Sequence, residues 1–132
     1  MAAEHEIRLR VRYEETDAMR VVHYSKYFIW FEAGRMELLR SSGILFSELE
    51  KSGMFLPVVE AMAAYKAPAR FDDEILLRTR IDRVGKTSIK FGNRAFKLPG
   101  ETLICEGHTV HVLTDTEGHP IEIPDGFRTR LS

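Results

Sequence analysis

The chain has 132 residues, 44% of them hydrophobic and 30% charged, with a formal net charge of -1. Those figures suit one globular domain over residues 1–132 with a real core, and they exclude the basic field that binders of nucleic acid or anionic membranes carry. No apolar run approaches the ~20 residues of a membrane span, the charged start MAAEHEIRLR lacks a signal-peptide core, and the single Cys105 can form no internal disulfide, so the expected location is the cytoplasm.

The first predicted element is a half-buried strand in IRLRVRY: Ile7, Leu9, Val11 and Tyr13 fall on one face, and Arg8, Arg10 and Arg12 on the other. Residues 16–24 break that alternation. From Lys26 to about Arg40 the period becomes helical, with Tyr27, Phe28, Trp30, Phe31, Gly34, Leu38 and Leu39 covering most of the circumference. This predicts a helix largely enclosed by other structure, with Ser25 as N-cap. Gly34 marks a close helix–sheet contact, and Gly43 is the C-terminal stop. LFSELEKSG adds a short turn of helix. MFLPVVEAMAAYKAPARF reads as a strand region whose two prolines suggest edge positions or bends.

EILLRTRIDRV alternates through Ile75, Leu77, Thr79 and Ile81. In TSIKFGNRAFKL, Ile89 and Phe91 fall in one parity and Phe96 and Leu98 in the other, which predicts a bulge near Gly92. TLICEGHTVHVLT is a further strand, and the tail IPDGFRTRL forms one helical turn in which Phe127 and Leu131 dock together. One buried helix with an antiparallel sheet is an α+β architecture. Such a sheet leaves edges and a face open, so a homo-oligomer is expected.

The sequence holds no GxxxxGK[ST], no GxGxxG and no GxSxG. His108 and His111, three apart on a strand, point to opposite faces, so no metal site is expected. Cys105 reads as a small core thiol. Asp17, in the loop before the long helix, has two readings. It is a turn residue bonding its own backbone, or a base or nucleophile beside a helix N-terminus whose free N–H groups, near Tyr24 to Tyr27, can bind an oxygen gaining negative charge. A carboxylate and an oxyanion site on opposite sides of one carbonyl suffice for acyl transfer.

YEETDAMRVVHYSKYFIWFEAGR resembles the opening motif of the 4-hydroxybenzoyl-CoA thioesterase-like family of hotdog-fold acyl-CoA thioesterases, in its YbgC-type branch. ELEKSGMFLPVVEA, YKAPARFDDEI, GKTSIKF, GHTVHVLTDTEGHPIEIP and FRTRL follow that family's order, so the resemblance covers nearly the whole chain. It implies a central helix wrapped by an antiparallel sheet, subunits paired with active sites between them, and hydrolysis of an acyl-CoA to a carboxylic acid and CoA. CoA is then part of the substrate, and no cofactor is expected.

By the resemblance Asp17 takes the catalytic acid position, and a backbone N–H near Tyr24 polarises the thioester carbonyl. His23 either touches substrate or orders the loop, and Glu60 is a weaker candidate. Lys66, Arg70, Arg83, Lys86, Thr87 and Ser88 lie in regions that flank the CoA path. Tyr27, Phe31, Met54, Phe55 and Met62 are candidate walls of an acyl pocket or ordinary core.

The chain departs from the family pattern at Arg20, where glycine is usual, and at Lys26, where asparagine is common. Arg20 is expected in an uncommon backbone conformation or in an altered loop. Two other functions stay open: a hotdog dehydratase, which would place a histidine on the central helix, and a non-catalytic module binding acyl-CoA or acyl-carrier protein.

Overall fold

The computed structural model describes residues 3–132. Its strands are β1 (Glu4–Arg10), β2 (Val58–Tyr65), β3 (Glu74–Val84), β4 (Ser88–Lys97) and β5 (Thr102–Val112), and its helices are α1 (Lys26–Ser41), α2 (Phe46–Lys51) and α3 (Asp125–Leu131). The strands form one antiparallel sheet in the order β1-β3-β4-β5-β2. α1 packs against it, mainly over β1 and β3, giving the expected α+β arrangement.

Alternation places β3 as anticipated: Ile75, Leu77, Thr79 and Ile81 are all buried on the face toward the helix. β1 is shorter than its pattern, because the chain leaves the sheet after Arg10 and makes a 3-10 turn at Tyr13–Glu15. Tyr13 is consequently 77% exposed, with its ring 5.5 Å from Phe71.

β4 holds one parity throughout, with Ile89, Phe91, Asn93 and Ala95 facing inward. Gly92 pairs regularly with Arg80 and His108, so there is no bulge there. The register shifts lie instead between Ile81 and Arg83 on β3 and opposite the Ala95–Phe96 step of β4. The second shift buries both Ile104 and Cys105. Phe96 sits in the other parity, where the Arg78 guanidinium lies 5.1 Å above its ring.

Gly34 permits the closest helix–sheet approach: a Cβ there would collide with Thr79 Oγ1 and fall 2.7 Å from Leu77 Cδ2. α1 ends at Gly43, whose φ of 81° belongs to the left-handed region. In the tail, Phe127 and Leu131 are buried as expected. Enclosure of α1 is less complete than its composition suggests. Ile29 is 51% exposed, and edge strand β2 leaves Val58, Val59, Met62 and Tyr65 open to solvent.

Burial pushes the Cys105 thiol up to about 12, which suits an inert core residue. His108 and His111 point to opposite sides of β5. His108 meets Glu60 at 2.7 Å on the outer side, while His111 is 1% exposed inside. His111 Nδ1 donates to the Leu56 carbonyl at 3.0 Å, and Nε2 then accepts from Thr109 Oγ1 at 2.9 Å. Among the described residues no cluster able to hold a metal occurs.

Burial lowers the His111 pKa to about 4, against the opposing Leu56 hydrogen bond and aided by the Arg35 charge. Its folded-state value is therefore below the unfolded 6.5, so the neutral ring's contribution is present above pH 6.5 and fades as pH falls toward 4. Urea unfolding at pH 5 should show stability about 2 kcal/mol below that at pH 7, with a smaller difference in His111→Gln. Equal stabilities at the two pH values would contradict this.

Candidate active site

Residues 12–25 are shaped by a buried carboxylate. Glu15 is 3% exposed. Its Oε1 accepts from the Arg12 amide at 2.8 Å, and its Oε2 accepts from Trp30 Nε1 at 2.8 Å. Its backbone carbonyl accepts from the His23 amide at 2.9 Å. One residue thus joins the end of β1, the start of the loop, the return of the loop and the core of α1.

Between these anchors the chain forms a tight hairpin. Thr16 and Val22 pair. The Asp17 carbonyl accepts from the Arg20 amide, and the Asp17 amide donates to the Val21 carbonyl, both at 2.9 Å. This closure requires a left-handed residue at position 20, and Arg20 takes it with a φ of 66°. Glycine adopts that conformation without penalty, whereas a side chain costs about 1 kcal/mol. The Val22 amide also donates to the Ala69 carbonyl at 2.8 Å, which fixes the hairpin to the segment after β2.

Asp17 makes a local turn bond and also lines a cleft. Oδ1 accepts the Met19 amide at 2.9 Å, a local turn bond. Oδ2 has no partner among the described residues, and the carboxylate is half-buried in a cleft of about 380 Å³. Tyr24, Tyr27 and Tyr65 line the same cleft, with Val21, Val22 and Lys66.

The Tyr24 amide, at the lead-in to α1, has no hydrogen-bond partner among the described residues, whereas its neighbours Val22, His23 and Lys26 all donate to backbone carbonyls. The Tyr24 carbonyl accepts from the Tyr65 hydroxyl at 2.9 Å. Burial, foremost, holds the Tyr27 and Tyr65 phenols above their ordinary pKa, so both remain protonated donors.

Ser25 does not cap α1. Its backbone is already helical at φ -69° and ψ -22°, and its hydroxyl meets His23 Nδ1 at 2.7 Å. The Ser25 amide also approaches that nitrogen, at 3.3 Å. Two donors converge on Nδ1, so the ring proton sits on Nε2. His23 therefore orders the turn into α1, and it does not line the cleft. Neither Arg20 nor Lys26 makes an ion pair with Asp17 among the described residues. The exposed Arg70 reaches the Arg20 carbonyl with Nη1 at 3.5 Å.

The remaining basic candidates lie elsewhere in the chain. Arg83, Lys86, Thr87 and Ser88 occupy the β3–β4 turn, beside α3. Register places that turn level with Val58 and His111, whereas the Asp17 cleft lies level with Tyr65 and Cys105. Six residues of β4 separate these levels, about 20 Å at 3.3 Å per residue.

Among the proposed walls, Tyr27 lines the cleft and Phe31 is fully buried core. Met54 lines a separate cleft between α2 and α3. Phe55 pairs with Thr114, and Met62 is exposed on β2. Sequence reasoning missed Tyr65 and Glu15. The signal for Glu15 was Trp30, since a buried indole N–H needs an acceptor.

Glu15→Ala should lower stability by about 2–4 kcal/mol, because it leaves the Trp30 indole and the Arg12 amide without their acceptor; urea denaturation measures this, and an unchanged midpoint would exclude Glu15 as the anchor. Arg20→Gly should raise stability by about 1 kcal/mol through relief at φ 66°, read as a higher urea midpoint.

Known proteins resemble this chain in sequence and in fold. The Thioesterase-like superfamily model matches residues 11–131. An acyl-acyl carrier protein thioesterase of Arabidopsis thaliana, ATL3, is 32% identical over 131 residues, covering 99% of this chain and 69% of that one. The acyl-CoA thioester hydrolase YbgC of Escherichia coli is 33% identical over 107 residues, 81% of this chain and 79% of its own. Among solved structures, the gentisyl-coenzyme A thioesterase BH1999 superposes with a TM-score of 0.89 at 27% identity, covering 97% of this chain and all of that one. With a family model spanning nearly its full length and a five-stranded antiparallel sheet packed on one long helix, the chain belongs to the thioesterase-like superfamily of hotdog-fold proteins.

Proposed function

We propose that the protein hydrolyses acyl-CoA thioesters, with Asp17 as general base or nucleophile and the Tyr24 amide as oxyanion donor. The observation that carries this reading is that Asp17, whose Oδ2 has no partner among the described residues, and Tyr24, whose amide has none, line one cleft. The relatives named as thioesterases and thioester hydrolases support the reaction class.

Thioester hydrolysis asks for two things. An oxygen must attack the carbonyl carbon, and the negative charge that develops on the carbonyl oxygen must be held. Asp17 supplies the first, either by taking a proton from water as it attacks or by attacking directly to form a mixed anhydride that water then opens. The Tyr24 amide supplies the second, strengthened by the positive end of α1. CoA leaves as a thiolate, whose reference pKa of about 8.5 demands no strong acid. The products are a carboxylic acid and CoA, and no cofactor enters the scheme.

The far placement of Arg83, Lys86, Thr87 and Ser88 favours a site built between two copies. β2 is an edge strand with an unpaired side. Antiparallel pairing of β2 with a second β2 sets the Val58 end of one copy beside the Tyr65 end of the other. The partner's β3–β4 turn then stands at the same end as Asp17, where its cations can meet CoA phosphates. Lys66 and Arg70 flank the cleft from the same chain. A homodimer, or a tetramer made of two such dimers, follows.

An acyl-carrier protein thioester is the second form of substrate, favoured by the likeness to ATL3. The dehydratase reading is weaker, since α1 carries no histidine. No helix of the described residues is long and apolar enough to cross a membrane, and we place the enzyme in the cytoplasm.

Asp17→Asn tests the scheme cleanly, because the amide oxygen can still accept from Met19 and keep the hairpin. Thiol release from acyl-CoA should fall about 10²–10⁴-fold with an unchanged urea midpoint. Retained turnover would reject Asp17 as the catalytic group.

A further inference from the structure

Tyr24 stands outside the hydrogen-bond ladder of α1 at both of its backbone polar groups. Its amide has no partner, and its carbonyl accepts from one group among the described residues, the Tyr65 hydroxyl at 2.9 Å. No backbone amide of the described residues bonds to that carbonyl. The helix begins at Lys26, whose own amide turns back to the His23 carbonyl at 3.0 Å. Core packing does not hold the residue either. The Tyr24 side chain is 64% exposed and rests on the His23 ring, with centroids 4.4 Å apart. A residue just before an uncapped helix frays with the first turn unless something else secures it. Here a phenol from another strand takes its carbonyl.

The two peptide units flanking the Tyr24 Cα decide where its N–H points. In the first, the His23 carbonyl takes the Lys26 amide, and a trans peptide sends the Tyr24 N–H the opposite way. In the second, the Ser25 amide meets His23 Nδ1 at 3.3 Å, a long contact, and the Tyr24 carbonyl meets Tyr65 at 2.9 Å. The Tyr65 bond is the shorter of those two, and of these three restraints it is the one that comes from outside residues 23–26. Tyr65 is itself well fixed. It pairs with Cys105 at the end of β2, and the next two amides, Lys66 and Ala67, donate to the Ile104 carbonyl at 2.8 and 3.2 Å. Its ring meets the buried Tyr27 ring edge-on, with centroids 5.3 Å apart. Burial, foremost, holds its phenol above the ordinary tyrosine pKa, so it stays a donor. Together with the bond from the Val22 amide to the Ala69 carbonyl at 2.8 Å, it ties the loop wall of the Asp17 cleft to the β2 wall.

We infer that Tyr65 is a positioning residue for the hydrolysis: its hydroxyl holds the Tyr24 carbonyl, and so keeps the Tyr24 amide aimed at the developing oxyanion. The inference rests on the acyl-CoA thioesterase reading above. Tyr65 touches no reacting atom in that scheme, and no proton leaves it. An oxyanion donor contributes while its N–H stays on the line to the oxygen, and it is worth most when it need not reorganise as charge develops. A bond to the carbonyl of the same residue restricts rotation about the Tyr24 backbone, so the amide keeps one direction. The negative charge appears on the substrate oxygen in the transition state, so loss of this restraint falls on kcat and leaves ground-state binding in place. A plain strut between β2 and the start of α1 behaves differently. Its removal lowers stability and leaves turnover of the folded protein alone.

The test is Tyr65→Phe, which removes the hydroxyl and keeps the ring at a position that is 46% exposed. With octanoyl-CoA, kcat should fall about 10–100-fold while KM moves by less than about threefold. Replacing Tyr65 by 4-aminophenylalanine, which keeps an N–H donor at the same place, should restore most of the turnover. Unchanged kcat in the folded Tyr65→Phe protein, or a raised KM with kcat intact, would overturn the inference. Equal losses in the phenylalanine and 4-aminophenylalanine proteins would overturn it too, by assigning the effect to packing. A second measurement needs no hydrolysis: the infrared C=O stretch of a bound acyl-CoA ketone, in which a methylene separates sulfur from carbonyl. An aimed amide polarises that carbonyl and lowers its frequency. Tyr65→Phe should undo part of the lowering, and identical bound frequencies in the two proteins would refute the role. Absence of CoA release from every acyl-CoA would sink the hydrolase reading alone, and the ketone spectra would still decide the Tyr65 question.

Discussion

The site depends on one buried carboxylate that takes no part in the proposed chemistry. Glu15 is bonded at both side-chain oxygens and at its carbonyl, and its three partners come from the end of β1, from the loop's return and from α1. Burying a charge is costly unless its lone pairs are satisfied. Here the carboxylate is met by an indole N–H and the Arg12 amide, and the Glu15 carbonyl by the His23 amide, three donors that would otherwise need acceptors of their own. Arg12 adds a longer contact at 3.7 Å. Because the amide bonded to the Glu15 carbonyl belongs to His23, the residue after it, Tyr24, is held in a fixed orientation. The hairpin that carries Asp17 spans the short segment between those two bonds, so Asp17 and Tyr24 are held along the same cleft by the anchor.

The start of α1 shows why that amide is free. Helix N-termini leave their first amides without intrahelical partners, and a serine or aspartate side chain commonly bonds one of them. Ser25 stands at the place for such a cap, but its hydroxyl is turned to His23. His23 gathers the Ser25 amide as well, and its carbonyl takes the Lys26 amide. Neither residue reaches the Tyr24 N–H. A helix with no side-chain cap forgoes about 1 kcal/mol, and Arg20 in a left-handed conformation forgoes a similar amount. Both costs fall within a few residues of Asp17, which is the distribution expected where local stability yields to function.

Much of this architecture was legible because burial follows period. β3 alternates cleanly since one face meets α1 and the other meets solvent, and α3 docks through Phe127 and Leu131 at a helical interval. The errors have physical causes. Phe96 is apolar yet faces outward under Arg78, so its parity signalled a bulge that is absent. Of the real irregularities, the one near Ile104 sits in the continuous apolar run Leu103–Cys105, where alternation says nothing, and the one at Asp82 sits in the polar pair Asp82–Arg83, which offers no inward residue to read. Tyr13 looked like core because it continued a strand pattern past the point where the chain had left the sheet. The loop-to-helix order put Asp17 and Tyr24 near one another, and both line one cleft. Glu15 could not be told from its neighbour Glu14 by composition, and only the indole of Trp30, half a loop away, distinguishes them. Lys66 and Arg83 lie at opposite ends of the sheet within one chain, which the sequence alone could not show. Sequence proximity to turns does not say which end of a sheet a turn occupies, and register alone sets that.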